Sequence, residues 1–215
     1  MYTFDHNLFL ALNFDGGAWM DRLMLTISGT PMWIPLYLLI FYLVGRDYGW
    51  RRLLFFMVLL AASMGIADIV AGIFKHSGLL GDLLPALEPR WRPMFEPALE
   101  GYDISPDSLK TLRASGLLEN TIVHVPMEAI GGRFGTVSAH ASTVCALCAL
   151  SVGVLRRRWF TMLMVVCTVL ICYSRIYLAK HYPMDIFWGA LLGIGLGWIG
   201  YLLFFRYFCG TNEKQ

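Results

Sequence analysis

The sequence predicts an all-α, polytopic membrane bundle of about five transmembrane helices preceded by an N-terminal interfacial segment. Composition is the first reason. Hydrophobic residues make up 57% of the 215 residues and charged residues only 15%, where a soluble domain carries roughly a quarter. Mean hydropathy is +0.59. The second reason is a set of five charge-poor runs, each near the roughly 20 residues a helix needs to cross a bilayer. The third is that the short arginine-rich connections all fall on one face of such a bundle. A chain of this length fits one integral-membrane domain, residues 1–215.

In chain order, the N-terminal stretch up to Arg22 mixes Phe4, Leu8, Leu10, Phe14 and Trp19 with Asp5, His6, Asp15 and Asp21. It is too polar to span and lacks the basic start of a signal peptide, so it reads as interfacial. The first run, Leu23 to Gly45, is free of charge but contains Pro31 and Pro35. The span either starts near Thr30 with Pro31 in its first turn or is kinked there. The second run, Leu53 to Phe74, carries only Asp68. The third, Phe134 to Leu155, has no charge beyond a neutral His140, and the fourth, Trp159 to Leu178, has only Arg175. The fifth, Ile186 to Phe205, has none; Gly189, Gly193 and Gly197 give it a small-residue ridge suited to close helix packing. Residues 76–135 form a long outward-facing segment between the second and third spans.

Arginine and lysine in short loops set the orientation. Arg46, Arg51 and Arg52, then Arg156-Arg157-Arg158, then Arg206 and Lys214 mark the cytoplasmic face. A bacterial inner membrane is the expected location, with the opposite ends of the spans facing the periplasm or outside. A net charge of +2 is too small to suggest nucleic acid. Cys145-x-x-Cys148 lies in an apolar span without a partner pair and reads as packing rather than a metal or redox pair.

The chemistry-bearing residues gather at one depth. Lys75 ends the second span, Ser138 and His140 begin the third, Ser174 and Arg175 close the fourth, and His181 and Asp185 open the fifth. Ionisable groups at membrane depth are costly and face polar cavities. His181 and Asp185 share a helix face if the helix includes both; if it begins only at Pro183, their contact is cap-like. Either way a carboxylate can reach one ring nitrogen, fix the tautomer and leave the other as nucleophile or base. Ser138-Ala139-His140 follows Gly131-Gly132 and Gly135 at a helix start, a place where backbone N–H groups receive an anion. Arg175, beside the end of a span, has the bidentate geometry that suits phosphate, and Arg90-Trp91-Arg92-Pro93 supplies two more arginines in the long segment.

Together these blocks resemble the type 2 phosphatidic acid phosphatase superfamily of membrane lipid phosphatases. Its third block, Ser-Arg, five residues, His, three residues, Asp, is matched at full spacing by Ser174-Arg175 through His181 to Asp185. Its Pro-Ser-Gly-His block is matched by Ser138-Ala139-His140, with Val137 in place of proline and Ala139 in place of glycine. Its first block, lysine, six residues, Arg-Pro, ends in Arg92-Pro93. Lys75 is the lysine upstream, across a longer gap read as an insertion over residues 76–89, with Arg90 as the substitute candidate.

The resemblance implies a helical bundle with its site at one membrane face and a metal-independent, cofactor-free phosphatase. His181 would attack phosphorus and form a phosphohistidine, and Asp185 would hold its tautomer. His140 would protonate the leaving oxygen and then activate water. Lys75, Arg92, Arg175, Ser138 and the Ala139 N–H would bind the phosphate. The partner is a lipid phosphate or diphosphate in the outer leaflet: undecaprenyl diphosphate or lipid A first, phosphatidic acid or phosphatidylglycerol phosphate next. Trp91, Phe95 and Tyr102 are candidate walls of the headgroup pocket. The competing expectation is a non-catalytic phospholipid-binding or lipid-transport membrane protein.

Overall fold

A computed structural model describes residues 2–95, 105–115 and 122–209. The described residues are helical, with one isolated antiparallel bridge, Trp91 to Phe134. In chain order the helices are α1 (Tyr2–Leu12), α2 (Gly17–Ser28), α3 (Ile34–Tyr48), α4 (Trp50–Ile73), α5 (Pro106–Ala114), α6 (Ala139–Leu155), α7 (Arg158–Tyr177) and α8 (Pro183–Cys209). Helices α4, α7 and α8 are long and apolar enough to cross a membrane, and α2 with α3 forms a bent pair that qualifies together. Only 22% of the spanning stretches of α4 and α8 is buried, so their apolar surface is left to lipid.

The first apolar run breaks where its prolines predict. Thr30–Trp33 is a 3-10 turn with Pro31 in its opening position, Pro35 opens α3, and the two halves meet at 66°. A bend frees carbonyls that lipid cannot satisfy. Trp33 answers one by donating its indole N–H to the Ile27 carbonyl at 2.7 Å. Gly49, at φ +80°, ends α3 and leads straight into α4, placing Arg46, Arg51 and Arg52 at the tight turn.

The third expected span is shorter than its apolar run. Helix α6 has 17 residues, about 25 Å at 1.5 Å per residue. It starts only at Ala139 because Phe134 to Ser138 is non-helical, bridged to Trp91, bent at Thr136 and Val137 and bonded into the site. Helix α6 lies at the centre, against α4, α7 and α8. Its contact with α8 uses the glycine ridge: a Cβ on Gly189, Gly193 or Gly197 would lie 2.6, 2.1 or 2.5 Å from the carbonyl oxygens of Ser138, Ser142 and Ala146. Backbones approach this closely only where side chains are absent. The bundle half opposite the site is filled by Ile40, Val44, Phe56, Leu150, Phe160 and Phe204.

The N-terminal segment is more than an interfacial strip. Helix α1 packs on α7 and α8, with Phe9 fully buried beside Met94, Phe95 and Tyr182. Asn13, after α1, donates to the carbonyls of Tyr177 (2.8 Å), His124 (3.0 Å) and Ile176 (3.3 Å), and accepts from the His124 N–H (2.8 Å). One side chain thus ties the N-terminal segment to the outer segment and to the end of α7. Cys145, Cys148, Cys167 and Cys172 are free thiols in the α6–α7 contact.

Candidate active site

The site is assembled where α4 ends, α6 begins, α7 ends and α8 begins. Residues Arg90 to Arg92 run antiparallel to Arg133 to Gly135: the Arg92 N–H meets the Arg133 carbonyl and the Gly135 N–H meets the Arg90 carbonyl, both at 2.9 Å. This short ladder delivers Arg92 and Gly135 to the turn between α7 and α8. Arg92 is anchored by its own guanidinium, which donates to the carbonyls of Phe134 (3.0 Å) and Gly131 (2.5 Å). Gly132 sits at φ +51°, and a Cβ there would lie 2.9 Å from the Arg92 guanidinium. Glycine is required on both counts.

The α7–α8 turn is bonded back onto itself. The N–H groups of Lys180 and His181 both point at the Arg175 carbonyl, at 3.0 and 3.3 Å. Arg175 is 4% exposed, and its guanidinium bonds the Ser28 hydroxyl at the end of α2. Ser174 turns its hydroxyl back to the Ile171 carbonyl at 2.7 Å. His181 is 1% exposed, with Nδ1 2.9 Å from the Gly135 carbonyl oxygen. Because a carbonyl only accepts, that contact places the proton on Nδ1 and leaves Nε2 with its lone pair.

Asp185 stands differently from the tautomer-fixing role that spacing suggested. Its Oδ2 is 3.8 Å from His181 Nδ1, too long for a hydrogen bond. That oxygen instead accepts the Tyr182 N–H at 2.9 Å, capping the start of α8. The Gly135 carbonyl takes the place expected for the carboxylate. Asp185 also joins the helices: its backbone carbonyl accepts the Ser138 N–H at 3.0 Å. Ser138 is fully buried and caps α6, its Oγ accepting the Ala141 N–H at 3.3 Å. Its hydroxyl proton remains available to an anion. Ala139 opens the first turn of α6, and His140 follows it at the rim.

Lys75, Arg92, Arg175 and Lys180 crowd around the two histidines, close enough for their charges to act on one another. Burial, and then the charges of Arg92 and Arg175, lower Lys75 to about 8. Lys180 is lowered to about 8 by burial and the same two arginines. Burial first, and then Arg175, Lys75 and Arg92, push His181 well below its ordinary value, which favours the neutral imidazole. Three cations beside His181, with Lys180 beside His140, make an arrangement whose charge suits a phosphate. A cavity of about 230 Å³ adjoins it, lined by Ser28 and Trp33 of the bend, Asp68 of α4, and His140 and Thr143 of α6.

The insertion after Lys75 loops out and returns, so Lys75 and Arg92 meet despite their long separation. Arg90 does not substitute for Lys75; it is occupied by Asp5 and the Tyr182 ring. Phe95 is fully buried, and Trp91 packs edge-on against Phe95 and Phe134, so this pair is a packed floor rather than a pocket wall. Tyr102 lies outside the described residues. Among the described residues no group of three or more His, Cys, Asp or Glu side chains could hold a metal ion. Sequence reasoning missed Lys180, although it lies inside the third block. It also missed the Gly135 carbonyl, which leaves no side-chain signature.

Residues 56–209 match the family model of the PAP2 superfamily. The chain is 26% identical over 199 residues to a lipid A 4'-phosphatase of Bacteroides thetaiotaomicron, covering 93% of this chain and 76% of that one. It is 22% identical over 200 residues to a lipid A 4'-phosphatase of Porphyromonas gingivalis, covering 93% and 72%. The crystal structure of a transmembrane PAP2-type phosphatidylglycerolphosphate phosphatase from Bacillus subtilis superposes with a TM-score of 0.54 at 18% identity, covering 99% of this chain and 86% of that one. That likeness shows the shared fold.

Proposed function

The chain belongs to the PAP2 superfamily of membrane phosphatases, and from that premise we propose that it removes a phosphate group from a lipid A-type glycolipid in the outer leaflet. The observation that carries the chemistry is the meeting of a buried His181, its Nδ1 held by the Gly135 carbonyl so that Nε2 keeps its lone pair, and the cations Lys75, Arg92 and Arg175. The similarity to two lipid A 4'-phosphatases supports the choice of lipid. The arginine pattern supports an inner-membrane location with the site facing the periplasm.

The reaction runs in two steps. Nε2 of His181 donates its lone pair to phosphorus while the bond to the lipid oxygen breaks, and His140 gives that oxygen a proton. A phosphohistidine results. His140, now neutral, takes a proton from water; the water oxygen bonds to phosphorus, the P–N bond breaks, and inorganic phosphate leaves. Negative charge spreads over the phosphoryl oxygens in both transition states. Fixed cations, the Ser138 hydroxyl and the Ala139 N–H stabilise it without reorganisation.

The test is phosphate release by purified protein from lipid A, undecaprenyl diphosphate, phosphatidic acid and phosphatidylglycerol phosphate. Release is expected to be fastest from lipid A and to fall to the enzyme-free rate in His181→Ala. Wild-type rates in His181→Ala would overturn the mechanism. Preference for the diphosphate would reassign the substrate, and lipid binding without release would favour a binding or transport role. Activity is expected to survive EDTA; a loss restored by magnesium would contradict the metal-independent route.

A further inference from the structure

Behind the reacting face of His181 lies a second charged cluster that the reaction above does not use. Asp5 of α1 and Asp185 of α8 are each only 2% exposed. Asp5 Oδ2 accepts from Arg90 Nη1 at 2.5 Å, and Asp5 Oδ1 accepts the Met184 N–H at 2.9 Å. Arg90 Nη1 is also 3.8 Å from Asp185 Oδ1, and its guanidinium lies 3.6 Å over the ring of Tyr182. A terminal helix therefore contributes a carboxylate to the first turn of α8, next to the nucleophile. Burying that charge costs several kcal/mol unless it is paired, so its presence needs a reason.

Arg90 grips the nucleophile from both sides. Its backbone carbonyl accepts the Gly135 N–H at 2.9 Å, and its N–H donates to Thr136 Oγ1 at 2.8 Å. Gly135 is the residue whose carbonyl holds His181 Nδ1. The Arg90 side chain meanwhile covers Tyr182, the next residue along, and stands beside Asp185. Asp5 fixes the other end of the same guanidinium and caps the turn through Met184. A shift of Arg90 would move the Gly135 carbonyl, Tyr182 and Asp185 together.

We propose that Asp5 and Arg90 are positioning residues for phosphoryl transfer: through Gly135, Tyr182 and Asp185 they hold the His181 ring in the orientation and tautomer that aim Nε2 at phosphorus. This rests on His181 being the nucleophile. The pair touches no substrate oxygen, so it governs the rate of the chemical step and not the affinity for phosphate. Lysine cannot replace Arg90 fully, because lying flat over the Tyr182 ring while Nη1 reaches Asp5 requires the planar guanidinium.

Arg90→Gln and the isosteric Asp5→Asn test this, with Arg90→Lys as the milder variant. Each is expected to lower kcat at least about tenfold per folded molecule, with the inhibition constant for inorganic phosphate within about twofold of wild type. The double variant is expected to be no worse than Arg90→Gln, as for residues of one network. Histidine ¹⁵N spectra, assigned with His181→Ala, add a readout independent of turnover: a single Nδ1–H tautomer in wild type and a mixed population in each variant. A raised phosphate inhibition constant would make Arg90 a phosphate ligand. Unchanged kcat and unchanged His181 signals would make the cluster purely structural. Either result overturns the proposal. Failure of the functional reading is seen separately, as activity that survives His181→Ala.

Discussion

His181 shows how little of a reactive residue is its side chain alone. Its tautomer is set by a carbonyl 46 residues away in the chain, and its neutral form is favoured by burial and three cations. Those cations pay for their proximity. Lys75 and Lys180 are both lowered to about 8 by burial and by Arg92 and Arg175, so both lose charge just above neutrality in the free enzyme. The protonated lysines are the ones that attract phosphate. Thus kcat/KM is expected to fall as pH rises through about 8, with a limb approaching two protons in steepness. Lys75→Arg is expected to reduce that steepness toward one, since arginine keeps its charge. A pH profile of kcat/KM for the two proteins checks both. His140→Ala is expected to cost about 10²–10⁴-fold in kcat, the range for loss of a general acid–base group, measured with phosphate release from the preferred lipid. The third block was legible to this scale by spacing alone. Lys180 within it was not, because a lysine beside a span end has the same sequence signature whether it snorkels or faces a site.

At the scale of elements, the contact between α6 and α8 does more than build a bundle. The glycine ridge lets the start of α6 lie against the start of α8, so that the Ser138 N–H reaches the Asp185 carbonyl. His140, in the first turn of α6, and His181, just before α8, flank these two helix starts. Gly193→Ala is expected to destabilise the protein by about 1–3 kcal/mol through overpacking, since its Cβ would meet Ser142 and Cys145. Gly189→Ala is expected to lower kcat as well, because the Ser138 carbonyl must move. Gly195→Ala, which meets nothing within 4 Å, is the control for both. Thermal unfolding in detergent and kcat measured on the same samples separate the two effects. The ridge was visible in the spacing of the glycines; which helix it meets depended on the arrangement of the whole bundle.

For the whole molecule, the direction of the helices places α1, the site and the outer segment on one face and the arginine-rich turns on the other. Residue Asp47 at the far face pairs with Arg157 at 2.6 Å, closing the α3–α4 and α6–α7 turns together. Orientation in the membrane is measurable with single cysteines in a background in which Cys145, Cys148, Cys167, Cys172 and Cys209 are all replaced by serine or alanine. Lys110→Cys on α5 is expected to react with an impermeant maleimide on intact spheroplasts, and Arg51→Cys only after permeabilisation. The opposite pattern would place the site in the cytoplasm and remove the outer-leaflet lipid from consideration.

The sequence by itself determined the helical membrane class, the position of the apolar runs and a break at Pro31, as a span start or a kink, and it gave the expectation that Lys75, Ser138, His140, Arg175, His181 and Asp185 gather at one depth. These follow from local hydrophobicity, from proline geometry and from the simple alternation of chain direction across a bilayer. Only the tertiary structure decided that the Gly135 carbonyl meets His181 Nδ1, that Arg90 turns to Asp5, and that α6 starts late because the preceding non-helical stretch is built into the site. Each of these turns on a backbone group or a buried charge meeting a partner far away in sequence. Backbone carbonyls are identical at every residue, and the pairing of buried charges is fixed by which segments pack together, so neither leaves a pattern in the order of the amino acids.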